Sequence, residues 1–382
     1  MANVKNVPYI LIGLGGVGRA LARAIIGAAQ LHRESFGVEF TALALCDSTG
    51  VLRVAGSALT EEDLQTALDA KEAGGEGLKG LPRYVARGGA TTAADFLTSL
   101  VHEAPAGCIV VDCTAADCTT PALLEAVRKG LKVVSANKKP FAGAQEDYDE
   151  LTGLDFANGG RARRLSSVRF ESTVGAGLPV VASLTRTVAA NDPISKINGT
   201  FSGTLGYVMT GLQNGEPFSS VVGEAKKQGF TEPDPRDDLG GIDVARKALI
   251  LARGMGWRLE MEDVAVTPLY PKEMETLTVD EFMSALPSLD ADFAARGNAA
   301  AAQGNVLRYT AAIDAASRTL VVAPASVPAD SPLGRLSGTD NLVEVYTRWY
   351  QERPLVLQGA GAGVGATAAG VLSDMVELAF TE

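Results

Sequence analysis

Two lysines, a proline-stiffened run of carboxylates and a glycine-spaced turn are the residues of this sequence best suited to chemistry. His32 and His102 are the two histidines among 382 residues, and neither lies in a recognisable catalytic context. This argues against histidine-based acid–base chemistry, Ser-His-Asp hydrolysis and zinc sites. Proton transfer must then fall to Lys, Asp, Glu or Tyr. The densest block runs Phe230-Thr231-Glu232-Pro233-Asp234-Pro235-Arg236-Asp237-Asp238, then Leu239-Gly240-Gly241-Ile242-Asp243-Val244-Ala245-Arg246-Lys247. Two prolines stiffen a loop holding four carboxylates, which suits an ammonium-bearing substrate. On a following helix, Asp243 and Lys247 at i and i+4 share one face, with the acid N-terminal to the base. A lysine facing that loop can donate a proton to a developing alkoxide or withdraw one from an alcohol. The alternative is an ordinary surface salt bridge.

A second lysine, Lys138, lies in Ser135-Ala136-Asn137-Lys138-Lys139-Pro140, at the exit of an apolar strand. Ligands of open α/β sheets bind outside the carboxyl ends of such strands. The alternative is a solvated loop with two lysines. The third motif is Gly13-Leu14-Gly15-Gly16-Val17-Gly18, between a predicted strand and a predicted helix. Gly13 permits a tight turn, Gly15 lets the backbone approach a pyrophosphate, and Gly18 allows close helix–sheet packing. The helix N-terminus favours the anion, so the motif reads as a dinucleotide site. Asp47 ends the second predicted strand, 29 positions after Gly18. A carboxylate there can accept from ribose hydroxyls, which leans the cofactor toward NAD over NADP, although Arg53 could still reach a 2′-phosphate. Two more glycine stretches, residues 171–179 (ESTVGAGLP) and 358–363 (QGAGAG), could meet a ligand or could simply allow close backbone packing.

The elements that must position these groups alternate. Strands are expected at 7–13, 40–47, 108–114 and 131–135, and helices at 16–30 and 121–130. This is the pattern of βαβ units, so the first 150 or so residues read as a Rossmann-type doubly wound parallel sheet. Residues 71–90 are glycine-rich and read as a mobile loop. The texture changes after Asn158-Gly159-Gly160. Beyond it, helices are expected at 218–229, 239–254 and 366–380, and alternating strands at 306–323 and 342–350, an α+β region. The last helix could pack back on the first domain.

Composition bounds the rest. Lys and Arg number 34 against 45 Asp and Glu, a net charge of −11, with 46% hydrophobic and 21% charged residues. That is an ordinary globular composition, long enough for two or three domains. The acidic balance argues against nucleic acid or a membrane as partner. The N-terminus does not read as a signal peptide. Cys46, Cys108, Cys113 and Cys118 show no CxxC spacing and read as free thiols of a cytoplasmic protein.

Taken in order, GLGGVG (13–18), ANKK (136–139), STVGAGLP (172–179), FSGTLGY (201–207), TEPDPRDDLGGIDVARK (231–247) and QGAGAG through TAAGVLSD (358–374) resemble the homoserine dehydrogenase family along nearly the whole chain. The resemblance implies reversible NAD(P)-dependent reduction of L-aspartate 4-semialdehyde to L-homoserine, in threonine and methionine biosynthesis. Another amino-acid aldehyde reductase and a non-catalytic dinucleotide sensor are the alternatives. It implies a cofactor domain over 1–170 completed by 353–382, a substrate region over 181–304, and a dimerisation region over 171–180 and 305–352 that makes a homodimer. Carried over by position, Lys247 resembles the proton donor, Lys138 a second lysine near nicotinamide and substrate, and Asp243 a residue that orients the site. Glu232 matches the ammonium partner, and Thr204, Asp237 and Asp238 fall in the substrate pocket. Gly13, Gly15, Gly16, Val17, Gly18, Asp47, Thr114, Lys138 and Gly363 are the candidate cofactor contacts. The backbone of Glu171, Val174, Ala176 and Leu178 matches a monovalent-cation site, usually Na⁺. Phe230 stands where some members have tyrosine, which removes a hydroxyl. The chain's end soon after the last helix implies a short form without an ACT domain or fused aspartate kinase, and so without threonine feedback through such a domain.

Overall fold

The computed structural model describes residues 4–54, 56–89, 91–153 and 167–381. The Asn158-Gly159-Gly160 boundary lies outside the described residues. The chain divides into two compact units: Met1–Gly177 with Gly363–Glu382, and Leu178–Ala362. The first unit thus takes in the turn at 171–177. The chain returns to it at Gly363, later than residue 353.

The first unit holds seven strands: β1 (Lys5–Ile12), β2 (Val38–Asp47), β3 (Gly50–Arg53), β4 (Tyr84–Ala86), β5 (Ile109–Asp112), β6 (Lys132–Ser135) and β7 (Val168–Arg169). They form one sheet in the order β4-β3-β2-β1-β5-β6-β7. From β2 to β7 the pairing is parallel, while β3 and β4 add an antiparallel edge. Apolar residues on both faces of β1 demand cover on both sides. On one face Val7, Tyr9 and Leu11 pack with Leu21 and Ile25 of helix Gly16–Leu31 and with Met375 and Leu378 of helix Val364–Ala379. Burying each such aliphatic side chain stabilises the fold by roughly 1.5–3 kcal/mol. Lys5 Nζ donates to the Ala379 carbonyl at 2.7 Å, and Lys132 Nζ donates to those of Leu378 and Thr381 at 2.8 and 2.6 Å. These cations suit a helix C-terminus.

Segment 71–90 differs from its reading as a loop. It contains the end of helix Glu61–Ala73, a 3₁₀ turn at Gly77–Gly80 and β4. A Thr60–Asp63 capping box starts that helix. The glycines punctuate short elements instead of dissolving them, and three residues of β4 are too few to show alternation.

The second unit holds β8 (Ile194–Thr200), β9 (Ala265–Val266), β10 (Asn305–Asp314), β11 (Thr319–Pro328), β12 (Asp340–Thr347) and β13 (Leu355–Ala360). Their order is β13-β12-β8-β10-β11-β9. Exposure alternates along β13, the mark of a half-covered sheet. Helices Gly203–Gln213, Phe218–Lys227 and Ile242–Gly254 belong to this unit. The helix expected from residue 239 starts later, at Ile242, after a separate short helix Arg236–Leu239. Gly241 breaks the two apart: its φ is +74°, and a Cβ there would lie 2.0 Å from Tyr309 Oη. No helix among the described residues is long and apolar enough to cross a membrane.

Candidate active site

In the first unit the glycine motif forms the turn between β1 and helix Gly16–Leu31. Gly13 has φ +95°, and a Cβ on Gly18 would sit 1.9 Å from the Gly13 carbonyl oxygen, so helix and turn touch backbone to backbone. A Cβ on Gly15 would meet nothing within 4 Å. No acidic residue occupies the helix's first turn, and no side chain caps its N-terminus among the described residues. An uncapped N-terminus beside an open, side-chain-free backbone fits a pyrophosphate. Gly16 would carry its Cβ 3.3 Å from Val364, so Gly363, which precedes helix Val364–Ala379, lies beside the same turn. Val17 lines the helix face packed on the core.

Asp47 ends β2 as expected from the sequence, but it is heavily engaged. Its Oδ1 accepts from Thr49 N and Oγ1 at 2.9 and 2.6 Å, and its Oδ2 pairs with Lys71 Nζ at 3.2 Å. Burial raises the Asp47 pKa, but the hydrogen bonds from Thr49 and Lys71 outweigh it and hold the carboxyl below its usual range. Arg53 pairs with Glu103 at 2.6 Å. Lys71, which no motif flagged, is therefore the cation at this carboxylate. Thr114 follows β5, and its N–H donates to Asp112 Oδ1 at 2.9 Å. Lys138 is half-buried in the exit of β6 and caps the short helix Lys139–Ala142, its carbonyl accepting from Phe141 and Ala142. Asp112, which no motif flagged, and Asn137, which lies in the Lys138 motif without an assigned role, are buried polar groups in the same two strand exits.

Glu171, Val174 and Ala176 are buried in the first unit, and Leu178 opens the second. Gly175 and Ala176 both have positive φ, at 81° and 57°. The Glu171 N–H donates to the buried Asp374 carboxylate at 3.0 Å. Burial pushes the Asp374 carboxyl up to about 8, so the carbonyls of the tight turn are the part of this site whose chemistry fits a monovalent cation.

In the second unit Lys247 stands on the inner face of helix Ile242–Gly254 with Val244, Ala248 and Leu251. It is 9% exposed, which separates it from a surface i,i+4 pair. Its Nζ donates to the Phe201 carbonyl at 2.5 Å and pairs with Asp243 Oδ2 at 2.7 Å. Asp243 lies in the helix's first turn, where a carboxylate is favoured. Ser202 Oγ accepts from the Leu205 N–H and starts the helix carrying Thr204. Thr204 Oγ1 reaches the Phe230 carbonyl at 2.5 Å and Asp238 Oδ1 at 3.1 Å, and Asp238 Oδ2 accepts from the Glu232 N–H at 2.8 Å. Burial pushes the Asp238 carboxyl up, with the charges of Glu232 and Asp243 adding to the rise, against hydrogen bonds from Glu232 and Thr204. Glu232, Asp238, Asp243, Lys247 and Thr204 thus share one neighbourhood, and Asp237 is exposed beside it.

Asp234 has another task. It grips Arg236 at 2.9 Å to Nε and 2.6 Å to Nη2, while Arg236 Nη1 donates to the carbonyls of Leu277, Glu275 and Met274. Arg236 also stacks over Phe282 at 5.3 Å. One of the loop's four carboxylates therefore anchors the loop, a second, Asp238, holds Thr204 and the Glu232 backbone, and Glu232 and Asp237 are exposed. The Phe230 ring lies 5.1 Å from that of Tyr207.

A sequence model described as homoserine dehydrogenase matches residues 179–376, and one described as homoserine dehydrogenase, NAD binding domain, matches 13–163. The chain belongs to the homoserine dehydrogenase family. A homoserine dehydrogenase of Schizosaccharomyces pombe is 31% identical over 99% of this chain and 96% of its own length. A chloroplastic bifunctional aspartokinase/homoserine dehydrogenase of Zea mays is 36% identical over 96% of this chain, which spans 38% of that relative. Among solved structures, a Candida auris protein of unknown function superposes with a TM-score of 0.82 at 33% identity, covering 98% of each chain. A hyperthermophilic archaeal homoserine dehydrogenase in complex with NADPH superposes with a TM-score of 0.71 at 25% identity, covering 97% of each. The glycine turn, Asp47, Thr114 and Lys138 fall within the match to the family's NAD-binding domain, and the Thr204–Lys247 neighbourhood falls within the family's own model.

Proposed function

We propose that the protein is an NAD(P)-dependent homoserine dehydrogenase that interconverts L-aspartate 4-semialdehyde and L-homoserine. The observation that carries this reading is Lys247, buried and held between a backbone carbonyl and Asp243 beside an acidic loop. Bound nicotinamide supplies or accepts the hydride at substrate C4. Lys247 gives the proton to the alkoxide oxygen in reduction and takes it from the hydroxyl in oxidation. Asp243 aims the Lys247 ammonium, and Lys138 adds a cation at the strand exits. Glu232 holds the substrate's ammonium, and Thr204, Asp237 and Asp238 shape the pocket around it. Gly13, Gly15, Gly16, Val17, Gly18, Thr114 and Gly363 hold the dinucleotide.

Asp47 supports a lean toward NAD through hydrogen bonds to ribose hydroxyls, and Lys71 beside it tempers that preference against a 2′-phosphate. The backbone of Glu171, Val174, Ala176 and Leu178 holds Na⁺ in this reading. The half-exposed sheet with Val321 of β11 on its surface supports a homodimer through 305–352. Four free thiols support a cytoplasmic location.

The test is absorbance at 340 nm with L-homoserine and either NAD⁺ or NADP⁺ in Na⁺ buffer. A steady rise is expected with at least one cofactor. No rise with either, in folded protein, overturns the assignment.

A further inference from the structure

The carboxyl ends of β5 and β6 lie side by side, with Asp112 opposite Ser135 in the parallel register. Asp112 is fully buried, and Asn137 is 2% exposed. Asp112 Oδ1 takes the Thr114 N–H at 2.9 Å, and Oδ2 takes Asn137 Nδ2 at 3.0 Å. The same Nδ2 lies 2.8 Å from the Ala116 carbonyl, 3.1 Å from Thr119 Oγ1 and 3.2 Å from Thr114 Oγ1. Asn137 Oδ1 accepts from the Lys139 N–H at 3.2 Å, and the Asn137 N–H donates to Ser135 Oγ at 3.0 Å. One side-chain amide therefore binds both strand-exit loops and holds the Lys139 N–H just after Lys138, while the main chain just before Lys138 is held by Ser135 Oγ. Outside the buried cluster, Lys139 Nζ pairs with Asp117 at 2.7 Å across the same two loops.

Stability alone does not call for this arrangement. Replacing both partners of a buried hydrogen bond with apolar groups of like shape is close to neutral, whereas an isolated carboxylate is costly to bury. What polar groups add is direction, because each bond works at one distance and angle. We infer that Asp112 and Asn137 are positioning residues that fix the backbone of Lys138, and with it the lysine's aim, relative to Thr114. The inference rests on the reading that Lys138 takes part in the chemistry.

In Asn137→Ala the amide is lost from every partner. In Asp112→Asn the shape stays, but an NH₂ replaces Oδ2 or Oδ1, so it faces either Asn137 Nδ2 or the Thr114 N–H, donor against donor. Both variants should fold, with Asp112→Asn the milder. Each should lower kcat by on the order of 10- to 100-fold, the cost of a small misplacement of a reacting group. KM for homoserine should stay within about threefold, so that the loss falls on kcat. The decisive comparison is a cycle with Lys138→Ala. Either variant combined with Lys138→Ala should be no slower than Lys138→Ala alone, because the positioned group is already gone. Multiplicative losses, or wild-type kcat in folded Asn137→Ala and Asp112→Asn, overturn the inference while leaving Lys138 in the mechanism. Wild-type kcat in Lys138→Ala removes the lysine from the mechanism, and the positioning role falls with it.

Discussion

The two candidate lysines are held in opposite ways. Lys247 stands on a 13-residue helix, buried, with a carboxylate one turn back and the Phe201 carbonyl as its partners. Lys138 stands in a strand exit, half-buried, on backbone gripped by neighbours that hydrogen-bond among themselves. In the first case the ammonium itself is held, by a carboxylate and a backbone carbonyl. In the second the support is indirect: rigidity is supplied by the Asp112 carboxyl, the Asn137 amide and neighbouring hydroxyls beneath the lysine. The same residue type can thus be placed by direct ion pairing on a rigid helix or by a buried hydrogen-bond network under a loop. The two designs should fail differently.

The largest expected effect is on Lys247. Lys247→Ala should lower kcat by at least ~10²-fold, the low end for acid–base catalysis, and Asp243→Asn by less, since the Phe201 carbonyl still holds the ammonium. Stopped-flow and steady-state rates on protein of confirmed circular dichroism would measure this. Turnover like wild type in Lys247→Ala would leave Lys138 as the sole acid and dissolve the contrast.

Next comes the acidic loop, where two carboxylates two residues apart should separate cleanly. Glu232→Gln should raise KM for homoserine by about tenfold, as a charge-assisted hydrogen bond worth roughly 1.5–3 kcal/mol weakens. It should leave activity toward 4-hydroxybutyrate, which has no amine, nearly unchanged. Asp234→Asn should instead loosen the Arg236 anchor and lower Tm with a smaller change in KM. Equal losses toward both substrates in Glu232→Gln would show that Glu232 also serves the loop and does not read the ammonium.

At the cofactor turn the expected effect is smaller. Asp47→Ser should shift kcat/KM several-fold toward NADP, since removing the carboxylate leaves Lys71 facing the site. An unchanged ratio would detach Asp47 from cofactor choice. The same variant tests linkage. The folded-state pKa of Asp47 lies below its ordinary 3.8, so its contribution is present above that pH and lost as pH falls through the folded value. Denaturant titrations should show wild type losing stability relative to Asp47→Ser below about pH 4. The smallest effect belongs to Arg53→Ala. Its pair with Glu103 is exposed, so stability should change by less than about 1 kcal/mol and the cofactor ratio not at all. A shift in that ratio would restore Arg53 as a 2′-phosphate contact.

Local pattern was enough to determine much of this molecule. The apolar runs, the glycine turn and the i,i+4 pair of Asp243 and Lys247 are read within a few residues, because strand alternation and helical spacing are short-range properties of the backbone. The parallel sheet followed from the alternation of those elements. What only the tertiary structure decided is who partners whom. Asp47 meets Lys71 across 24 positions, and Asp234 is drawn off by Arg236, which itself donates to the carbonyls of Met274, Glu275 and Leu277. Asp112 meets Asn137 across 25 positions because two parallel strands end in register. The antiparallel edge of β3 and β4 was hidden for a related reason: strands of four and three residues carry too little pattern, and pairing with a neighbour distant in sequence is what defines them. Spacing along the chain sets which residues can share a face, but burial and long-range packing set which of several equivalent carboxylates or lysines is left facing the ligand.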